Sequence, residues 1–300
     1  IKIMDLEGHI MELTQLRYFQ TAAYYQHISR AAEELNISQP ALSTMISRLE
    51  KELGVPLFDH NGRSIILNQN GQRFLQRVNH ILMEVENSKR ELQDIADEGD
   101  NSISLAVSSS QFLQGMHAFM YQHPNYKWNQ RVAENKEIAA LLNRGQIDLA
   151  VTSPGIYGEV FESTLLLRDI FKLAVHKDNP LAQRKSVRLE ELTDQRFIML
   201  LKGLPFRAQT DRIFADLGIT PHYIMECDHL LRRELINANA GVTIASQSAS
   251  FRHLFSENIR FLDIEDVHHT RDIVMVHRKG RYLNRASRQF ADFLKQKFSP

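Results

Sequence analysis

Gln39, Ser43, Thr44, Ser47 and Arg48 recur at helical spacing and form one short-armed polar face. Such a face suits the DNA major groove, where glutamine pairs with adenine, arginine with guanine, and small hydroxyls with either base or phosphate. A second polar set follows short apolar runs further along the chain. It comprises Ser108, Ser109, Ser110 and Gln111, then Thr152 and Ser153, then Lys202, Gly203 and Phe206. In an open α/β sheet, positions of this kind, where strand ends meet helix starts, take up small ligands. Facing hydroxyls with a lysine nearby suit a carboxylate or another small anion. Taken one at a time, each serine or threonine has a plain capping role as its alternative.

The first set needs two short helices across a tight turn. Ser29 is placed to cap a helix over Arg30–Leu35, whose Ala31 and Ala32 allow close crossing. Asn36 and Ile37 make the turn. Ser38 then caps a second helix with Gln39 and Pro40 in its first turn, where proline forfeits no hydrogen bond. Leu42, Ile46, Leu49 and Leu53 form its inward stripe, Gly54 ends it, and Pro56 prevents continuation. Leu13, Leu16, Phe19, Ala22 and Ala23 predict a supporting helix upstream. Leu57, Phe58 and the run Arg63–Leu67 predict a two-stranded wing with Arg63 near its tip.

MELTQLRYFQTAA, SRAAEELNISQPALSTMISRLEKELGVPLF and LNQNGQRFL together resemble the amino-terminal module of the LysR-type transcriptional regulators, over nearly all of residues 11–75 without a gap. The resemblance implies that groove reading falls on Gln39, Pro40, Ser43 and Thr44, and that the wing arginine is Arg63. Thr44 stands where the family most often carries arginine, which puts one common contact in question. Ser29, Arg30 and Arg48 are secondary candidates for backbone contacts, with Ser38 as the helix cap.

From Asn68 a long helix is predicted to about Ala96, with Phe74, Val78, Ile81, Val85, Ser88, Leu92 and Ile95 alternating in steps of four and three. That is a heptad seam, expected to pair two chains. The resemblance adds that LysR-type proteins dimerise through this helix and often form tetramers on DNA. Residues 11–68 carry five cationic and six anionic residues, and the whole chain balances 36 Lys plus Arg against 36 Asp plus Glu. One module therefore has little general attraction to phosphate, and joining several would raise affinity through effective concentration.

Asp97–Asn101 break the pattern. Beyond them the apolar runs 103–107, 148–151, 173–175, 197–200, 223–225, 242–245 and 273–276 alternate with helical stretches at 112–122, 137–144 and 207–217. This predicts two α/β lobes with largely parallel sheets, joined by crossovers at 165–176 and 267–277. SISLAVSSS, LLNRGQIDLAV, LAVHKDNPLA and NANAGVTIAS resemble the LysR-type effector domain, which is similar to the periplasmic binding-protein fold. The resemblance implies a small-molecule effector between the lobes and adds Asn135 to the cleft.

The expected organisation is thus an α+β multidomain chain. Residues 1–10 are a leader or remnant; 11–68 form a winged helix-turn-helix, 69–98 a dimerisation linker helix, and 101–300 a two-lobed effector-binding domain. A single cysteine, Cys227, excludes an intramolecular disulfide, and with it a two-cysteine peroxide sensor. A buried, inert thiol is the expectation for it, with a reactive one as the alternative. LLKGLPFRAQ resembles that sensor's loop but carries Leu204 and Pro205 in place of a His and Cys pair. No His or Cys cluster has metal-site spacing, and no nucleophile elbow or phosphate-binding glycine loop is present, so neither catalysis, metal nor cofactor is expected. No span or secretory leader is evident, so the expected setting is the cytoplasm without a membrane. Promoter DNA, homodimer or homotetramer partners, RNA polymerase and an organic-anion effector complete the expectation. The competing class is a solute-binding protein or α/β enzyme whose helical appendage serves oligomerisation alone.

Overall fold

The computed structural model describes residues 2–4, 10–61, 64–95, 101–246 and 255–298, in two compact units that divide after Gly99. The positions of Arg63 and of residues 96–100 lie outside the described residues.

In the first unit, β1 (Lys2–Met4) pairs antiparallel with β2 (Ile10–Glu12). Residues 2–4, within the stretch expected to be a leader or remnant, therefore pair with the start of the module. Three helices follow: α1 (Leu13–Tyr25), α2 (Ile28–Glu34) and α3 (Gln39–Leu53). Ser29 does not cap α2. His27 does, its side chain accepting from the Arg30 backbone N–H at 3.5 Å, because Ile28 already belongs to the helix and packs on the core. Asn36 makes the turn in the left-handed region, at φ 54°. Ser38 caps α3 as expected, accepting from the Ala41 N–H, and Gly54 ends it at φ 71°.

Leu42, Ile46 and Leu49 are buried against Leu16, Phe19, Ala22 and Ala31, which makes the helix pair one packed core. The strands β3 (Phe58–Asn61) and β4 (Ser64–Leu67) form the wing. Helix α4 (Gln69–Ile95) departs from the heptad expectation at its start. Phe74 and Val78 face the module's own core, with Phe74 5.1 Å from Phe19. Ile81, Leu92 and Ile95 are exposed, the last two at 68% and 74%. The first turns of the seam thus hold the module together, and the later turns offer the apolar surface.

In the second unit the strand order is β6-β5-β7-β14-β8-β13-β9, with β12 also pairing β8. Strands β5 (Ser102–Val107), β6 (Lys127–Val132) and β7 (Leu149–Thr152) are parallel. The long β8 (Phe161–His176) runs antiparallel to β14 (Thr270–Arg278) through its first part. Through its last residues it pairs antiparallel with β12 (Thr243–Ser246) and β13 (Ile259–Ile264). The short β9 (Ser186–Val187) is an edge strand, and β10 (Phe197–Leu200) pairs parallel with β11 (Tyr223–Cys227). The sheet is therefore mixed rather than largely parallel. Both predicted crossovers are real, and they lie side by side in opposite directions, which makes each ladder they join antiparallel.

Helices cover these sheets: α5 (His117–Gln122), α6 (Asn135–Asn143), α7 (Pro205–Asp216), α8 (His229–Asn237) and α9 (Arg285–Phe298). One lobe centres on Leu105, Val107, Phe119, Met275 and Phe290, the other on Leu173, Phe197, Phe214 and Ile244. The helix expected over 112–122 is broken. A 3-10 turn at Ser110–Leu113 precedes α5, and Gly115 between them takes φ 81°, which an α-helix cannot hold.

Candidate DNA-reading face and effector cleft

On α3 the inward stripe leaves Gln39, Pro40, Thr44 and Arg48 exposed and Ser43 half-buried. Ser29 and Arg30 are exposed on α2, and Ser38 is exposed at the start of α3. The helix thus presents amide, hydroxyl and guanidinium groups from one face, as its spacing predicted. Arg48 is already engaged, its Nε donating to Glu52 Oε1 at 2.9 Å, while Glu52 also accepts from the buried Gln15 amide at 3.3 Å. A surface ion pair of this kind contributes little stability, so the guanidinium is available to a stronger anion.

In the second unit two adjoining cavities, of about 190 and 120 Å³, lie at the ends of the strands. Ser110, Phe206, His229 and Arg271 line both. The larger adds Gln111, Arg232, Arg233 and Ser246, and the smaller adds Ser108, Ser109, Ser153 and Val132. Ser108 Oγ accepts from the Ser153 N–H at 3.0 Å, tying the ends of β5 and β7 together, and Ser109 accepts from the Gln111 N–H at 3.4 Å. Lys297 on α9 donates to the Phe112 carbonyl at 3.1 Å and to the Gln114 carbonyl, which anchors the turn bearing Ser110 and Gln111. Burial lowers its pKa to about 8.

Arg271, near the start of β14, sits in register with Asp169 of β8, where the two lobes meet. Its Nε donates to Ser153 Oγ at 3.2 Å, and its guanidinium lies 4.7 Å from the Phe206 ring centroid and 5.3 Å from that of Phe112. Arg232 lies 5.5 Å from the same Phe206 ring, and its Nη1 donates to the Ile244 carbonyl at 3.3 Å. Burial lowers both guanidinium pKa values to about 10. Asp169 opposes the shift at Arg271, while the neighbouring Arg271 adds to the shift at Arg232. Both remain charged at neutral pH. His229 is driven down to about 4, first by burial and then by these two arginines, and is therefore neutral. Asp228 caps α8 itself, accepting from the Leu230 and Leu231 N–H groups, so that helix start is already occupied by the chain's own carboxylate.

Ser108, Ser109, Ser110, Gln111, Ser153 and Phe206 are thus brought together. Thr152 is fully buried beside the cleft without lining it. Asn135 donates to the Pro154 carbonyl at 2.9 Å and does not line it either. Lys202 and Gly203 are exposed and outside the lining. Among the described residues, the cationic groups that line it are Arg232, Arg233 and Arg271 instead. Extending the strand-end rule to β11 would have found His229 and Arg232. Arg271 escapes that rule because an antiparallel strand brings its amino end to the cleft. Cys227 is buried at the end of β11, where desolvation raises its pKa, as an inert thiol requires. Among the described residues no group of His, Cys, Asp and Glu could hold a metal, and no helix is long and apolar enough to cross a membrane.

Residues 13–72 match the family model "Bacterial regulatory helix-turn-helix protein, lysR family", and residues 97–299 match "LysR substrate binding domain". The chain belongs to the LysR family. It is a DNA-binding transcription regulator with an effector domain, and not an enzyme. This LysR-type chain is 31% identical over 294 residues to the uncharacterized HTH-type transcriptional regulator YybE of Bacillus subtilis (strain 168), covering 96% of this chain and all of the other. Its fold is similar to a full-length OxyR variant from Pseudomonas aeruginosa, with TM-score 0.60, 21% identity, and coverage of 97% and 95% of the two chains. It is also similar to full-length CbnR complexed with target DNA, with TM-score 0.55, 21% identity, and coverage of 96% and 100%. LysR-type regulators bind promoter DNA, form oligomers and take small-molecule effectors in this domain.

Proposed function

We propose that this LysR-type regulator reads a partly palindromic promoter with Gln39, Pro40, Ser43 and Thr44 in the major groove. Arg63, Ser29, Arg30 and Arg48 contact the backbone, and two or four copies act together in the cytoplasm. The effector is a small organic anion held in the cleft by Arg232, Arg271, Ser110, Gln111 and Ser153. The observation that carries this reading is a cleft whose described lining residues include three guanidinium groups and no carboxylate. The effector shifts the population of two lobe arrangements, which changes promoter geometry and contact with RNA polymerase. It does so only through different affinity for the two states. Footprinting and transcription with and without candidate organic acids test this. A footprint or transcript level that changes with an acid supports the reading, and an unchanged footprint and transcript under an acid that binds the protein contradicts it.

A further inference from the structure

Arg232 is 6% exposed, lines the larger cavity, and has an Nε with no hydrogen-bond partner among the described residues. Asp169 offsets the charge of Arg271 from across the strand, but among the described residues no carboxylate pairs with Arg232. Arg233, also in the lining, is half-buried at the mouth, where solvent screens its charge. One deeply buried positive charge is therefore left for a ligand to neutralise.

The adjoining chamber differs in kind. Phe112, Val132, Leu204, Pro205 and Phe206 line it, and among the described residues Arg271 is the one cationic group in its lining. Ser153 Oγ accepts from Arg271 and from the Gln209 amide at 3.5 Å, so its own hydroxyl hydrogen is left to donate. A second carboxylate placed there would lose its hydration against apolar walls, and the guanidinium it met would already be offset by Asp169.

We propose that the effector carries a single anionic group seated on Arg232 and an uncharged body of a few carbons lying in the Phe112–Val132–Leu204 chamber, with Ser153 donating to any acceptor on that body. This rests on the anion-binding reading of the cleft given above. It narrows the class from organic anions in general to monoanions with an apolar body, and it sets dicarboxylates apart as poor ligands.

Calorimetric titration of the full chain with acetate, butanoate, succinate and butanamide, at pH 7.5 and constant ionic strength, tests it. Butanoate is expected to bind more tightly than acetate or succinate, with butanamide undetectable. Arg232→Gln is expected to weaken butanoate about tenfold or more, the scale of one lost charge-assisted contact. Arg232→Lys, which retains the charge, is expected to keep part of the affinity and serves in its place if the glutamine variant does not fold. Succinate binding more tightly than butanoate, with both lost in Arg232→Gln, overturns the single-charge inference and leaves the anion reading standing. Affinities indifferent to Arg232→Gln overturn this inference and leave the anion to Arg271, whereas butanamide matching butanoate, or no binding by any acid, overturns the anion reading and this inference with it.

Discussion

Gln39 and Ser43 occupy one face of α3 while Leu42 and Ile46 fill the core behind them, so the two pairs can be varied independently. Gln39→Ala with Ser43→Ala is expected to leave the melting temperature nearly unchanged while reducing specific DNA affinity. A bidentate base contact contributes about 1–3 kcal/mol, or roughly fivefold to 150-fold. Gel-shift titration beside thermal melting checks both halves. At His229 the expectation concerns pH. Burial and the charges of Arg232 and Arg271, only partly countered by Asp228, keep the folded imidazole neutral down to about pH 4, against an ordinary value of 6.5. The unfolded chain binds this proton first as pH falls, so the contribution is fully present above 6.5 and lost progressively toward 4. Melting temperature followed from pH 7 to pH 5 is expected to fall more steeply for the natural chain than for His229→Asn, and equal slopes would contradict that account.

At the level of elements, α3 and the first turns of α4 carry the module. Leu42→Ala empties a fully buried position and is expected to cost about 2–5 kcal/mol in urea unfolding of the first transition. Gly71 is a sharper test, because a Cβ there would lie 2.1 Å from the Leu57 carbonyl oxygen. Gly71→Ala is expected to displace α4 from the wing and abolish DNA binding, seen as loss of gel shift with the far-UV spectrum largely kept. These elements were legible in the sequence because caps, stripe and terminators act over a few residues. The cleft was only half legible. Ser108–Gln111 and Ser153 follow from the strand-end rule, which holds for parallel strands. Arg271 reaches the same place from the amino end of an antiparallel strand, and its register with Asp169, about a hundred residues away in the chain, is a tertiary fact. Lys202 failed to join for a related reason. Gly203 at φ 92° belongs to a turn that lies outside the lining, and Phe206 on α7 fills the position instead.

For the molecule as a whole, the charge balance decides how DNA is held. With five cationic and six anionic residues in its module, a single copy lacks the electrostatic attraction that usually anchors a protein on phosphate. Sequence reading must then come from base contacts multiplied by assembly. The later seam of α4, with Leu92 and Ile95 exposed, is the apolar surface available for that. Leu92→Glu with Ile95→Glu is expected to lower the oligomeric state in sedimentation and to weaken operator binding more than Gln39→Ala does alone. Footprint sequencing of the purified protein on its own sheared chromosome, beside the Gln39→Ala, Ser43→Ala variant, is the most direct test of the central claim. Discrete inverted-repeat sites that vanish in the variant are the predicted result. A diffuse signal without a shared sequence, or sites unchanged in the variant, would mean that α3 does not read bases.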